Sequence, residues 1–240
     1  RPRTALRPTP RTADVRRTLG TTLVAAALVL GACGDGDTDD PAATAATDDA
    51  DTAAPASADC PPAGGADTRT TTFDAPPPEC LVDGVTYQAV VTTNTGEFTI
   101  ELDPEQAPVA ANNFAFLARN LYYDDTSCHR IIPSFVVQCG DPTGTGTGGP
   151  GYTIVDEPPP AGEYQLGSVA MAKRSDPDSA GSQFFIIIGP SGEALPPEYA
   201  LFGQVVDGFD TTVAAMAAAG TPEGAPSEPI RIESIRIVES

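Results

Sequence analysis

Apolar and polar residues alternate strictly over Glu97–Leu102, which reads EFTIEL. Because successive side chains of a strand point to opposite faces, this alternation predicts a β-strand with one buried face. The preceding stretch Thr86–Thr93 is rich in strand-forming residues, and the turn-forming Asn94-Thr95-Gly96 separates the two stretches. Together they predict a β-hairpin near the start of the folded region.

Two other segments show the wider apolar spacing of a helix. The first begins at Pro108, since proline is favoured at the first helical position, and repeats apolar residues as far as Leu121. The second is predicted from Phe209 to Ala217 and ends before Gly220. Four further strands are predicted at Ser168–Ala172, Gln183–Ile188, Ala200–Val206 and Ile230–Val238.

The alternation of the last strand slips by one residue at Ser234, which predicts a β-bulge there. Many short strands with two separated helices argue against alternating β-α-β units. The order of elements therefore predicts a mainly β fold, a closed antiparallel barrel with helices over its ends.

Charge narrows the classes of function. The 240 residues include 13 Lys and Arg against 33 Asp and Glu, a formal net charge of -20. Nucleic-acid binding relies on basic residues that neutralise phosphates, so we expect no nucleic-acid partner. The Gly144–Gly149 loop fits a dinucleotide-binding pattern, but Pro150-Gly151 follows where that pattern requires a helix.

The N-terminus has the pattern of an export signal. An Arg-rich segment leads into the apolar run Leu19–Leu30, which is too short to span a bilayer and fits a signal peptide. Leu30-Gly31-Ala32-Cys33 resembles a bacterial lipobox, so residues 1–32 are predicted to be a signal peptide and Cys33 the lipidated residue. Cleavage near Ala32 in an ordinary secreted protein is the alternative, and Sec or Tat export is left open.

The organisation that follows has two parts. Residues 33–84 are rich in Ala, Asp, Thr and Pro, and we expect them to form an acidic disordered tether. Residues 85–240 form the predicted domain. The protein is expected outside the cytoplasm, anchored to the cell membrane by lipid or else secreted.

Five cysteines are present, and lipidation of Cys33 leaves four. Four cysteines outside the cytoplasm suggest two disulfides, for which three pairings are possible. Cys60 and Cys80 would close a loop rich in Pro, Gly and Thr. Cys128 and Cys139 flank a predicted turn, and whether they are bridged is left open.

Three strings carry the candidate chemistry: HRIIPSF at 129–135, QCGDPTG at 138–144 and AGSQFF at 180–185. Together they resemble the signature segments of the cyclophilins, the peptidyl-prolyl cis-trans isomerases, and secreted or lipid-anchored actinobacterial members look closest. The resemblance covers roughly residues 85–238 and implies a closed eight-stranded antiparallel β-barrel capped by two helices. It also implies an enzyme that needs no cofactor and no metal.

The resemblance assigns roles residue by residue. Arg130 matches the catalytic arginine, and Gln138 matches the polar group that anchors the substrate backbone and positions the arginine. The proline pocket corresponds to Phe135, Val136, Phe185, Leu195 and Tyr199. The groove for neighbouring substrate residues corresponds to Gly146, Ala172, Lys173, Arg174 and Gln183.

This chain departs from the family pattern in its groove. Val136 replaces the usual Met, Tyr199 stands where many members have His, and no Trp is present, which argues against tight cyclosporin binding. Lys173-Arg174 replaces a neutral pair, which predicts a preference for acidic residues before the substrate proline.

The register of the hairpin that carries Arg130 is ambiguous in the sequence. A two-residue turn at Pro133-Ser134 would place Cys128 opposite Cys139, but it would put Arg130 and Gln138 on opposite faces. A bulge or a three-residue turn would bring Arg130 and Gln138 to one face and move the cysteines out of direct opposition.

The function predicted from the sequence is a prolyl isomerase that assists the folding of extracytoplasmic proteins and binds proline-containing polypeptides. The arginine would donate a hydrogen bond to the prolyl nitrogen in the twisted transition state. We expect a monomer. The alternative is a module that binds proline-containing peptides, as a chaperone or scaffold, with little turnover.

Overall fold

The structure is a computed structural model that describes residues 59–240. The predicted signal peptide at 1–32, the predicted lipidation site Cys33 and the first part of the predicted tether lie outside the described residues. Within the described range, no helix is long and apolar enough to cross a membrane.

Within residues 59–240, nine strands form one antiparallel sheet. They are β1 (Tyr87–Thr93), β2 (Gly96–Leu102), β3 (Thr126–Ser127), β4 (Arg130–Ile132), β5 (Val136–Cys139), β6 (Ser168–Met171), β7 (Phe184–Ile187), β8 (Leu201–Asp207) and β9 (Arg231–Glu239). Their order in the sheet is β3-β9-β1-β2-β8-β6-β7-β5-β4. The mainly β, antiparallel fold predicted from the sequence is confirmed.

The sheet differs from the predicted eight-stranded barrel at its two ends. β3 pairs with β9 and β4 pairs with β5, yet only Cys128 and His129 separate β3 from β4 in the chain. One passage of the chain therefore supplies both end strands, which raises the count to nine. No ladder joins β3 to β4 within residues 59–240, so the two ends meet through the covalent chain.

The predicted β-hairpin and bulge are both present. β1 and β2 pair with Thr93 opposite Gly96, which leaves the two-residue turn Asn94-Thr95. Thr92 of β1 faces Ser234 of β9, whereas Thr93 of β1 faces Ile232. The extra residue of the bulge therefore lies on β9, directly before Ser234. The bulge keeps both Ile232 and Ile235 of β9 facing the core.

The two predicted helices are present, with one difference in geometry. Helix α1 spans Pro108–Arg119, and the carboxylate of Glu157 accepts hydrogen bonds from the free N–H groups of its first turn. The second predicted helix begins as a π-helical turn, Phe209–Val213, and continues as α3, Ala214–Ala218. A one-turn helix, α2 at Pro190–Glu193, is too short for apolar periodicity to predict.

Residues 59–84 are packed on the domain and do not form the disordered tether predicted for 33–84. The side chain of Phe73 is 2% exposed, and its ring lies 5.0 Å from that of Phe116 on α1. Backbone N–H groups of Ala66 and Thr70 donate to the carbonyls of Arg119 and Asn120 at the end of α1. The segment is ordered because it satisfies free helix carbonyls and buries one aromatic ring.

Both pairs of cysteines considered from the sequence form disulfides. Cys60 and Cys80 close the packed N-terminal segment, and Cys128 and Cys139 join the link between β3 and β4 to the end of β5. The main core lies between the sheet and α1, and a smaller apolar cluster lies at the β5–β7 end of the sheet.

Candidate active site

The hairpin of β4 and β5 places Arg130 and Gln138 on the same face of the sheet. Arg130 faces Gln138 and Ile132 faces Val136, so the turn contains three residues. Ser134 accommodates this turn with a φ of 59°. Ser127 faces Asp141 in the same register, so Cys128 and Cys139 are not directly opposite although they are bridged. The three-residue turn thus settles the ambiguous register.

An apolar cavity of about 180 Å³ lies beside this hairpin. Val136 and Phe185 are almost fully buried in its wall, and the ring of Phe185 meets that of Tyr199 edge-on at 5.4 Å. Its neighbour Phe184 points the other way into the main core, as strand alternation predicts. The cavity is lined by Arg130, Phe135, Val136, Gln138, Ala172, Lys173, Phe185, Leu195 and Tyr199.

Arg130 is held by neutral partners. Its guanidinium carbon lies 5.4 Å from the ring centroid of Phe135, a cation–π distance, and its Nη1 donates to Oε1 of Gln138 at 3.1 Å. Nε2 of Gln138 donates to Oε1 of Gln183 at 3.0 Å, and Gln183 donates in turn to the carbonyls of Gly146 and Gly148. The ion pairs found in the described part of the chain do not include Arg130.

A second cavity of about 280 Å³ adjoins the first, and Gln138, Ala172 and Lys173 line both. Gly146, Arg174 and Gln183 line the second cavity but not the first. Every residue predicted for the proline pocket and the groove therefore lines one of these two connected cavities. The cavity of about 180 Å³ is the one predicted as the proline pocket and keeps that name, and the cavity of about 280 Å³ is called the flanking pocket.

Lys173 and Arg174 differ in their surroundings. Nζ of Lys173 forms an ion pair with the carboxylate of Asp156, and both side chains are mostly buried. Arg174 is exposed, and its side chain has no hydrogen bond or ion pair with any part of the chain that the structure describes. Burial raises the pKa of Asp156, but hydrogen bonds from Lys173 and Asp178 outweigh this effect and lower it overall.

Asp141 organises the loop at Gly144–Gly149, a role that was not predicted from the sequence. Its side chain is fully buried and accepts hydrogen bonds from the backbone N–H groups of Thr143, Gly146 and Gly148. Burial raises the pKa of Asp141, but these bonds and that of the Thr143 hydroxyl lower it to about 2. An aspartate placed before a run of small and hydroxyl residues is a sequence signal for such a loop.

The single histidine, His129, lacks one of its possible hydrogen bonds within the described residues. Nδ1 of His129 is buried without a hydrogen-bond partner, and burial lowers the pKa of its imidazole. Tyr164 was also missed. Its hydroxyl donates to the carbonyl of Tyr199 at 2.7 Å and accepts from the Tyr199 N–H, which fixes one wall of the proline pocket.

Two other observations describe the surroundings of this site. No cluster of three or more His, Cys, Asp or Glu side chains in residues 59–240 is arranged to hold a metal. A larger cavity of about 920 Å³ lies elsewhere, between Glu79 and Gln204 in sequence, and contains none of the predicted site residues. The groove instead has the fixed guanidinium of Arg130 beside a small cavity walled mainly by apolar side chains, an arrangement that suits binding of a polypeptide with an apolar ring.

A curled antiparallel sheet with few helices and an arginine beside an apolar pocket define a cyclophilin-like protein. The family model for cyclophilin type peptidyl-prolyl cis-trans isomerase/CLD matches residues 88–237. The chain belongs to the cyclophilin-type peptidyl-prolyl cis-trans isomerase family, so its activity class is prolyl isomerisation.

Relatives and solved structures agree with this assignment. The chain is 37% identical over 158 residues to peptidyl-prolyl cis-trans isomerase-like 1 of Gibberella zeae, covering 65% of this chain and 97% of the relative. It is 37% identical over 174 residues to the probable peptidyl-prolyl cis-trans isomerase B of Mycobacterium leprae, covering 65% of this chain but only 58% of that relative.

Among solved structures, a Cryptosporidium parvum cyclophilin type peptidyl-prolyl cis-trans isomerase matches with a TM-score of 0.60 and 34% identity. The match covers 65% of this chain and 99% of that structure. A structure of the same enzyme in the presence of the dipeptide Ala-Pro matches with a TM-score of 0.59 and 36% identity, covering 64% of this chain and 99% of that one.

Proposed function

We propose that this chain is an extracytoplasmic, lipid-anchored prolyl isomerase that assists the folding of polypeptides outside the membrane, with Arg130 as its catalytic residue. The observation that carries the mechanism is the fixed guanidinium of Arg130 at the edge of the 180 Å³ apolar pocket. The proline ring would occupy the cavity between Val136, Phe185 and Tyr199.

The chemistry follows from the barrier to rotation. Rotation about an X–Pro bond breaks amide resonance, a barrier of about 18–20 kcal/mol. In the twisted state the prolyl nitrogen regains a lone pair that accepts a hydrogen bond, which the planar ground state does not offer. A donor aimed at that nitrogen therefore binds the transition state more tightly than the substrate.

Arginine suits this role because its charge is permanent and its donors are held in a planar fork. Gln138 holds that fork through a neutral acceptor, so the positive charge is not cancelled by a carboxylate. A proline ring seated in this pocket would displace water, which would strengthen the hydrogen bond, and the walls would keep the ring still while the preceding carbonyl rotates.

The test is NMR exchange on an Ala-Pro peptide with wild type, Arg130→Ala and Arg130→Lys. Loss of a donor used only in the transition state should lower kcat/KM by about 10²–10³-fold for Arg130→Ala. Arg130→Lys keeps the charge but loses the fork and should recover only part of the rate. Arg231→Ala, a change of the same charge outside both pockets, is the matched control.

Equal rates for wild type and Arg130→Ala would refute the mechanism. Peptide binding without any rate above background would favour the binding module with little turnover.

The proposed location rests on the sequence around Cys33 and on the two disulfides of the described region, which suit an oxidising compartment. Cys33→Ser should move the protein from the membrane fraction to the soluble fraction. Unchanged retention in the membrane fraction would refute lipid anchoring at this residue.

A further inference from the structure

The flanking pocket has a charge opposite to that of the protein as a whole. The chain has a formal net charge of -20, yet Lys173 and Arg174 line this pocket and no Asp or Glu does. The large cavity elsewhere shows the contrast, because it is lined by no Lys or Arg. Its carboxylates are Glu79, Asp83, Glu101, Asp103, Glu105 and Glu163.

The two cations of the flanking pocket are not equivalent. The ammonium of Lys173 is paired with Asp156, whose carboxylate also accepts the N–H of Asp178 at 3.1 Å. This pairing offsets the charge of Lys173. The guanidinium of Arg174 is exposed and unpaired among the described residues, so it is the charge that an incoming ligand meets.

We infer that Arg174 is a specificity-determining residue that favours substrates with an acidic side chain near the proline, whereas Lys173 contributes little to this choice. The inference rests on the proposed function, because it requires the proline to occupy the neighbouring pocket. The two pockets share Gln138 and Ala172 as well as Lys173, so residues close to the bound proline reach the flanking pocket.

The expected effect is modest because Arg174 is exposed to solvent. Exposed charge pairs have coupling energies that correspond to about a two- to fivefold change in kcat/KM. Their interaction is screened by salt, since the screening length falls from ~10 Å at 0.1 M to ~3 Å at 1 M ionic strength. A preference that comes from Arg174 must therefore disappear at high salt.

The experiment uses matched peptides with Glu or Gln at each of the three positions before proline and at the first position after it. At low salt, wild type should isomerise the Glu peptide about threefold faster at one position, as kcat/KM. The effect should lie in KM, because binding of the flanking side chain is the same before and during rotation. In 1 M NaCl the ratio should approach one.

Variants separate the two cations. Arg174→Gln should abolish the preference for Glu, so that matched Glu and Gln peptides are isomerised at equal rates by this variant. Asp156→Asn should strengthen the preference for Glu, because it releases the charge of Lys173. Arg231→Gln is the matched control, since Arg231 is also exposed and unpaired in the described region but lines neither pocket.

A ratio of one at every position in wild type, or an unchanged ratio in Arg174→Gln, would overturn the inference. Either result would be obtained with an active enzyme, so it is distinct from failure of the proposed function, in which wild type and Arg130→Ala have equal rates.

Discussion

Replacing Asp141 by Asn tests whether one buried carboxylate holds the loop that borders the groove. Oδ1 accepts two bonds from Thr143, both at 2.7 Å, and Oδ2 accepts the N–H groups of Gly146 and Gly148 at 2.6 and 3.0 Å. Asn keeps the shape but turns one oxygen into a donor. The Thr143 hydroxyl could turn to accept from that donor, but no backbone N–H group could, so at least one of these bonds is lost.

The magnitude of the effect can be worked out in two ways. A hydrogen bond to a charged group contributes about 1.5–3 kcal/mol, so loss of one such bond lowers the free energy of unfolding by about this amount. Lowering the pKa of Asp141 from 3.8 to about 2 corresponds to about 2.5 kcal/mol at about 1.4 kcal/mol per pKa unit. The two values agree in size because both describe stabilisation of the charged carboxylate by the loop.

The sign of the pH dependence is fixed by the lowered pKa. The unfolded chain binds a proton to this residue near pH 4, whereas the folded chain binds it only near pH 2. The stabilisation is therefore complete above about pH 4 and is lost as the pH falls through about 2. In Asp141→Asn, this part of the acid sensitivity should be absent.

Urea unfolding at a series of pH values between 7 and 2 measures both effects. Asp207→Asn is the matched control, because Asp207 is exposed and its side chain has no hydrogen bond within the described residues. If Asp141→Asn lowers the free energy of unfolding at pH 7 by no more than the control does, the carboxylate does not hold the loop. Equal loss of stability between pH 4 and 2 in Asp141→Asn and in Asp207→Asn would refute the lowered pKa of Asp141.

Two other changes probe the same region. Gly148→Ala should lower stability and kcat/KM together, because an added Cβ would lie 2.1 Å from Oδ1 of Asp141. Gly149→Ala is the control and should change neither, because its added Cβ would meet nothing within 4 Å. Equal effects of the two variants, measured by unfolding and NMR exchange, would contradict this prediction. Replacing Cys128 and Cys139 by Ser should lower the free energy of unfolding by about 3 kcal/mol, because the unfolded chain gains conformational entropy without the bridge. An unchanged unfolding midpoint under oxidising conditions would show that the bridge does not stabilise the domain.

Sequence patterns predicted the elements whose side chains meet one apolar core. The hairpin of β1 and β2, the bulge beside Ser234 and the start of α1 at Pro108 all depend on local periodicity or local backbone chemistry. The π-helical turn was not predicted because its apolar spacing resembles that of an α-helix. It forms where the carbonyl of Gly208 accepts from both Thr212 and Val213.

The residues of the groove were predicted from the three sequence strings at 129–135, 138–144 and 180–185. The contacts that join these strings in the fold were not predicted. Tyr164 depends on a partner distant in sequence, and Asp141 depends on the conformation of a loop, so neither role is marked by periodicity. The packing of residues 59–84 was missed for a related reason. Composition describes what a segment lacks, but here one phenylalanine and the free carbonyls of a helix end decide that it is ordered.

The partners of Arg130 reconcile two opposing requirements of a prolyl isomerase in an acidic protein. The guanidinium must be held in place, and a carboxylate would do this most tightly, but it would cancel the charge and compete with the prolyl nitrogen for the donors. Gln138 and Gln183 hold Arg130 through amides that end on backbone carbonyls. The carboxylate of Asp141, just beyond the same hairpin, accepts loop N–H groups, so its charge stabilises the loop and leaves Arg130 unpaired.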